Sequence, residues 1–89
     1  MKITDVKVIL RSADALKAFV SIVIDDAFVV KGIKIIEGKN GLFIAMPSQK
    51  GKKGEYRDIA HPLNSETRSE MEKLIMDKYN EVLQAPPES

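Results

Sequence analysis

The stretches FVSIVI (Phe19–Ile24) and VVKGIKII (Val29–Ile36) constrain this 89-residue chain more than any other feature. Read as strands they are apolar on both faces, with Ser21 the interruption in the first, whereas an antiparallel sheet wetted on one face alternates. A sheet built on them needs cover on two sides. A single helix can supply one cover. The other has to come from a second copy of the chain joined through a two-fold interface, from pairing at an open sheet edge, or from the segment 48–62 folded back. The size of the chain points the same way, because it is near the lower limit for folding alone and has no cysteine to staple it.

The remaining elements follow from periodicity and turn chemistry. In KITDVKVILR, Val6, Val8 and Leu10 fall on one face and Asp5, Lys7, Ile9 and Arg11 on the other. The bend RSADA leads into the first apolar run, and Asp25-Asp26 supplies the next turn. Gly32, inside the second run, marks a bulge or a close backbone approach. Asn40-Gly41 is the strongest hairpin signal, followed by a strand LFIAM that Pro47 ends. Such short connections predict a four-stranded antiparallel meander over residues 2–46. From Ser65 to Leu83 the spacing of Met71, Leu74, Ile75, Tyr79 and Val82 predicts a helix, with Asn64 or Ser65 capping it and Glu66 in its first turn. Leu74 and Ile75 are expected to press that helix onto the sheet. APPES ends it, leaving a short flexible tail over 84–89. The expectation is one α+β domain over residues 1–83.

Between sheet and helix lies PSQKGKKGEYRDIAHP, residues 47–62, which shows neither strand nor helix periodicity. Net charge is only +1, but residues 1–64 carry eleven Lys/Arg against seven Asp/Glu, and residues 65–89 carry three against six. Lys50, Lys52, Lys53 and Arg57 lie within eight residues and face only Glu55 there. Such a cluster is a hint of a polyanionic partner, and it is also what a solvated surface looks like. The lysines can neutralise phosphates, and Arg57 can grip a phosphate or a guanine edge with two hydrogen bonds. Gly51 and Gly54 would let backbone amides approach an anion. Tyr56 would either stack on an exposed base or, with Ile59, anchor the loop to the sheet.

Catalytic and cofactor chemistry find little here. His61 is the single histidine, and neither Ser48 nor Ser65 sits in a nucleophile-elbow pattern. A histidine held extended before Pro62 reads more simply as a turn anchor. One histidine with scattered carboxylates gives no metal-ligand spacing. GKNG and GKKG lack the order of a phosphate loop. The expectations are no enzyme activity, no cofactor, no metal and no small-molecule substrate. No apolar run approaches a membrane span and MKITDVKV is no signal segment, so a cytoplasmic protein is expected.

The residues also carry a resemblance. EGKNGLFIAMPSQKGKKGEYRDIAHPLNSETR, from Glu37 to Arg68, closely resembles the SpoVG family of stage V sporulation protein G, and KITDVKV and DDAFVVKGIKIIEGKNG fit as well. The resemblance extends to about Tyr79. It implies an antiparallel sheet with a C-terminal helix, a small cytoplasmic homodimer, and binding of DNA and in some cases RNA. It also implies effects on sporulation, septation and gene expression, with nucleic-acid contacts in the basic segment after MPS. The family commonly has two adjacent basic residues directly after that serine. Here Gln49-Lys50 stands there and Lys52-Lys53 follows, so the charge is kept in a shifted register. Arg57 stands where the family also has a basic residue. SADA lacks the glycine that many relatives carry in the first turn.

Two functions of different kind are compatible with these residues. One is a dimeric nucleic-acid-binding regulator using Lys50, Lys52, Lys53, Tyr56 and Arg57. The other is a protein-interaction adaptor of division or sporulation machinery, docking a partner on a sheet edge or on the acidic helix.

Overall fold

The structure, a computed structural model, describes residues 1–85. The outer part of the tail expected over 84–89, from residue 86 onward, lies outside the described residues. Strands β1 (Ile3–Ala13), β2 (Leu16–Ile24), β3 (Phe28–Gly38) and β4 (Gly41–Ala45) form one antiparallel sheet in that order. The α+β meander read from the sequence is the one observed. Helix α1 (Ser65–Gln84) lies on one face of it.

The turns show why the chain reverses where it does. Asp25 and Asp26 both have left-handed backbones, φ +52° and +53°, and Ala27 N–H donates to the Ile24 carbonyl at 2.9 Å. The N-terminus clamps this turn: Lys2 N–H donates to Asp25 Oδ1 at 2.9 Å and Asp26 N–H to Thr4 Oγ1 at 3.0 Å. Asp14, also at positive φ, makes the first reversal without a glycine. In the third hairpin the positive φ falls on Gly41 (+113°) and not on Asn40, so Lys39 and Asn40 are the turn's central pair. Gly32 (φ +85°) is a bulge, lying where the β2–β3 register slips between Val20 and Ile22.

The core is the inner face of the sheet closed by the helix. Val20, Ile33 and Ile35 from the sheet and Ile75 from the helix are the largest fully buried side chains, with Met71 and Tyr79 flanking Ile75 at i−4 and i+4. No polar or charged side chain is buried among the described residues. Two apolar positions, Leu10 on the Val6–Val8 face and Leu74 on the helix stripe, are less buried than their neighbours. Leu10 is 39% exposed because it lies beyond Val8 on a strand that outruns the helix cover. Leu74 is only half-buried, beside Ile3 and Val6 at the β1 margin, while Met76 packs against the core instead. The helix begins at Asn64, whose side chain accepts from Thr67 N–H at 2.8 Å. It ends at Ala85, whose extended ψ of 140° suits the residue before a proline.

The outer face of the sheet is left open. Val29 and Ile36 lie on it, as the two-faced pattern requires, but so do Lys31 and Lys34. The second apolar run is therefore less completely two-faced than its composition implies.

Ile75→Ala is expected to cost about 2–5 kcal/mol, because a fully buried side chain would leave a cavity under the whole sheet. Leu74→Ala should cost about half of that or less. Thermal unfolding of both variants checks the ranking, and equal losses would place Leu74 in the core after all.

Candidate nucleic-acid interface

The segment between sheet and helix is not an irregular loop. Ser48–Lys50 (β5) and Tyr56–Asp58 (β6) pair as a two-stranded antiparallel ribbon, with Gln49 opposite Arg57 and Lys50 opposite Tyr56. Three-residue strands of polar side chains have too few positions to show alternation, which is why the sequence reads as loop. Ile59 N–H donates to the Pro47 carbonyl at 2.7 Å, closing the base of the ribbon.

This ribbon sorts the five residues singled out in the sequence. Lys50 and Tyr56 share one face, Gln49 and Arg57 share the other, and Lys52 and Lys53 sit in the connecting turn. All five are exposed. Tyr56 is 69% and Ile59 66% exposed, so neither anchors the ribbon to the sheet. The ring of Tyr56 is free to meet a ligand. The glycines do not behave as an anion cradle. Gly51 N–H donates to the Glu55 carbonyl at 2.6 Å and Gly54 N–H to the Gly51 carbonyl at 3.1 Å, so both amides are used within the turn. Gly54, at φ +88°, is needed for the reversal itself. At Gly51 an added Cβ would meet only the Glu55 carboxylate, the mobile end of an exposed side chain that can move aside.

Among the described residues Glu55 also makes the ribbon's ion pair, 3.8 Å from Arg57 Nη2, with the Arg57 side chain largely and the Glu55 side chain partly exposed. The pairing is loose and screened. On the helix the situation is reversed. Arg68, Lys73 and Lys78 each lie within 4 Å of an acid on the same helix, Glu72, Asp77 and Glu81 respectively. Among the described residues, Lys7, Lys31, Lys34, Lys50, Lys52 and Lys53 have no such partner. Free positive charge is therefore segregated onto the sheet and ribbon.

Lys31 and Lys34 are the residues that sequence reading missed. They lie in an apolar run that reads as strand. In the structure they line a groove with Pro47, Ser48 and Ile59, beside the base of the ribbon. Their signal was present as two lysines interrupting VVKGIKII. His61 Nδ1 lies 3.0 Å from the Pro62 carbonyl, a local turn contact. No group of three or more potential metal ligands occurs among the described residues, and no helix there is long and apolar enough to cross a membrane.

Comparison with known proteins adds the family. The SpoVG family model matches residues 1–81. A relative from Bdellovibrio bacteriovorus named "Putative septation protein SpoVG" is 53% identical over 89 residues, all of this chain and 82% of the relative. Relatives of the same name from Myxococcus xanthus and Clostridium novyi are 54% and 55% identical. They cover 89% and 92% of this chain, and 80% and 83% of their own lengths.

Glu55→Gln is expected to leave the melting temperature within about 2 °C of the parent protein, because an exposed, loose ion pair contributes little. The same change removes the negative charge nearest Arg57, so affinity for a polyanion such as heparin should rise. A large loss of thermal stability would show instead that Glu55 holds the ribbon together.

Proposed function

This chain belongs to the SpoVG family, and from that premise we propose that it is a small homodimeric nucleic-acid-binding regulator. It would act in the cytoplasm on septation, the process its relatives are named for, and on sporulation. The observation that carries the reading is the segregation of charge. Cations on the helix are paired with neighbouring acids, while those on the ribbon project into solvent, with Glu55 and Asp58 the acids beside them and only the loose Glu55–Arg57 pair within 4 Å. Lys50, Lys52 and Lys53 would neutralise phosphates without fixed geometry, and Arg57 would add a planar two-pronged contact. Tyr56, exposed beside Lys50, is placed to stack on a base. The reading includes no catalytic step.

A homodimer fits an edge better than the open face. β1 is eleven residues long and its outer edge has no strand partner. Antiparallel pairing of two such edges about a two-fold axis is self-complementary. Stacking the open face on itself would bring lysine-bearing surfaces together. Two ribbons in one dimer would double the local positive charge.

The adaptor reading draws on one observation, the exposed apolar side chains Leu63 (91%) and Ile59 (66%) flanking the ribbon's exit. A salt titration of oligonucleotide binding separates the two. Replacing Lys50, Lys52 and Lys53 together with alanine should leave folding intact and weaken binding. The salt slope should flatten by about 0.7–0.9 per lost phosphate contact. Arg57→Ala should weaken binding more than any single lysine change. Wild-type affinity and slope in the triple variant would leave the ribbon a connector and favour the adaptor. Light scattering should give twice the 9.9 kDa chain mass, and a monomer at micromolar concentration would sink the dimer.

A further inference from the structure

The open face of the sheet continues the ribbon's surface. Three shallow grooves run in sequence. One crosses the open face between Lys7, Phe19 and Lys31. The second shares Lys31 and Gly32 with it and passes Lys34 and Ile36 to Pro47 and Ile59. The third shares Ile59 and ends between Lys50, Lys52 and Arg57 on the ribbon. Among the described residues, Lys7, Lys31 and Lys34 have no acidic partner within 4 Å. Asp5 and Asp58 are the acids along the route.

Aromatic rings lie along the same route. Phe43, 50% exposed, sits across the strand from Ile36. Its ring lies against Gly38, where a Cβ would come within 3.0 Å of Cε1, so the glycine backbone props one side of the ring. Phe19, opposite Lys34, carries the Arg11 guanidinium 5.4 Å from its centroid. Cations spaced between half-open rings and aliphatic side chains match a polynucleotide whose bases are unpaired. A duplex hides the faces of its bases and would leave Phe43, Ile9 and Val29 against water-facing phosphates. A second copy of this chain would set lysines against lysines.

We propose that a single-stranded nucleic acid runs from the ribbon across the open sheet face, with a base stacked on Phe43 and its phosphates at Lys31 and Lys34. The proposal rests on the nucleic-acid reading above and deepens it by naming the form of the ligand. The test is fluorescence anisotropy of the full chain with a mixed-sequence 20-nucleotide DNA, single-stranded and as the duplex of the same sequence. The single strand should bind at least tenfold more tightly. Phe43→Leu, which keeps apolar bulk, should weaken single-strand binding by roughly 5- to 150-fold, the range for losing one stacked base, and leave duplex binding and melting temperature in place. Lys31→Gln with Lys34→Gln should flatten the single-strand salt slope by about 1.4. Amide chemical shifts at residues 19, 34 and 43 should move on adding the single strand, which tests the route without any substitution. Equal or tighter duplex binding, or unchanged single-strand affinity in Phe43→Leu and the double lysine variant, overturns the route. Binding still lost on replacing Lys50, Lys52 and Lys53 would then keep the ribbon as the site. Loss of the dimer in Phe43→Leu would overturn it differently, by making the face a contact between copies. Absence of binding to either form refutes the nucleic-acid reading as a whole.

Discussion

One helix covers one side of a four-stranded sheet, and most of the molecule is arranged around that limit. Ile75 sits at the centre of the contact, fully buried against sheet residues that include Val20, Ile33 and Ile35. With no buried polar group and no disulfide among the described residues, cohesion comes from apolar burial and the strand ladders. The helix stripe is narrow, with Met71, Ile75 and Tyr79 spaced four apart. Leu74 and Leu10 fall outside its reach although both are large and apolar. The inner face is thus fully committed to the fold, and whatever the protein binds has to be met by the outer face, the edges or the ribbon.

The sequence made the fold legible where side-chain period and turn chemistry agreed. The alternation of Val6 and Val8, the paired aspartates at 25 and 26, the bulge at Gly32 and the spacing from Met71 to Tyr79 all correspond to observed elements. Legibility failed where a feature depends on contacts between distant residues. The β5–β6 ribbon has three residues a side, and its pairing is set by backbone closure at Gly51, Gly54 and Ile59 and not by an apolar pattern. The five basic and aromatic candidates could be named from composition. Their division between two ribbon faces could not, because it depends on a register that the sequence does not display. The amides of Gly51 and Gly54 were open to an anion in the sequence and are occupied in the structure.

Charge sorting has a comparable logic. Helical spacing places Arg68 with Glu72 and Lys73 with Asp77 at i, i+4, where neighbouring side chains meet. Each such pair neutralises a cation locally, so the helix presents its remaining acids. In a strand, neighbours along the chain point to opposite faces, and cross-strand partners decide pairing. Lys34 faces Phe19 on one side and Ala45 on the other, and Lys7 faces Ser21. Register thus leaves Lys7 and Lys34 without an acid directly opposite, whereas Lys17 reaches Glu37 on the neighbouring strand. A near-neutral chain becomes a molecule with one cationic side without any excess of basic residues.

Gly32 ties this surface to the backbone. Its left-handed φ produces the bulge, and the bulge lies against Pro47, where an added Cβ would be 3.6 Å from the proline ring. Space is sufficient for a methyl group there, so the glycine is required by conformation and not by crowding. Pro47 is also the residue whose carbonyl closes the base of the ribbon through Ile59. One irregularity in β3 thus sets two things at once. It fixes where the ribbon leaves the sheet, and it places Lys31 and Lys34 on either side of that point, in the groove leading from the open face to the ribbon. Because the ribbon contributes nothing to the core cluster, its charges and its turn can vary without loosening the fold. The bulge cannot vary in the same way, since a side chain at position 32 strains the left-handed backbone there. The exposed cations sit on the tolerant element, while the geometry that joins them to the sheet depends on a single backbone conformation.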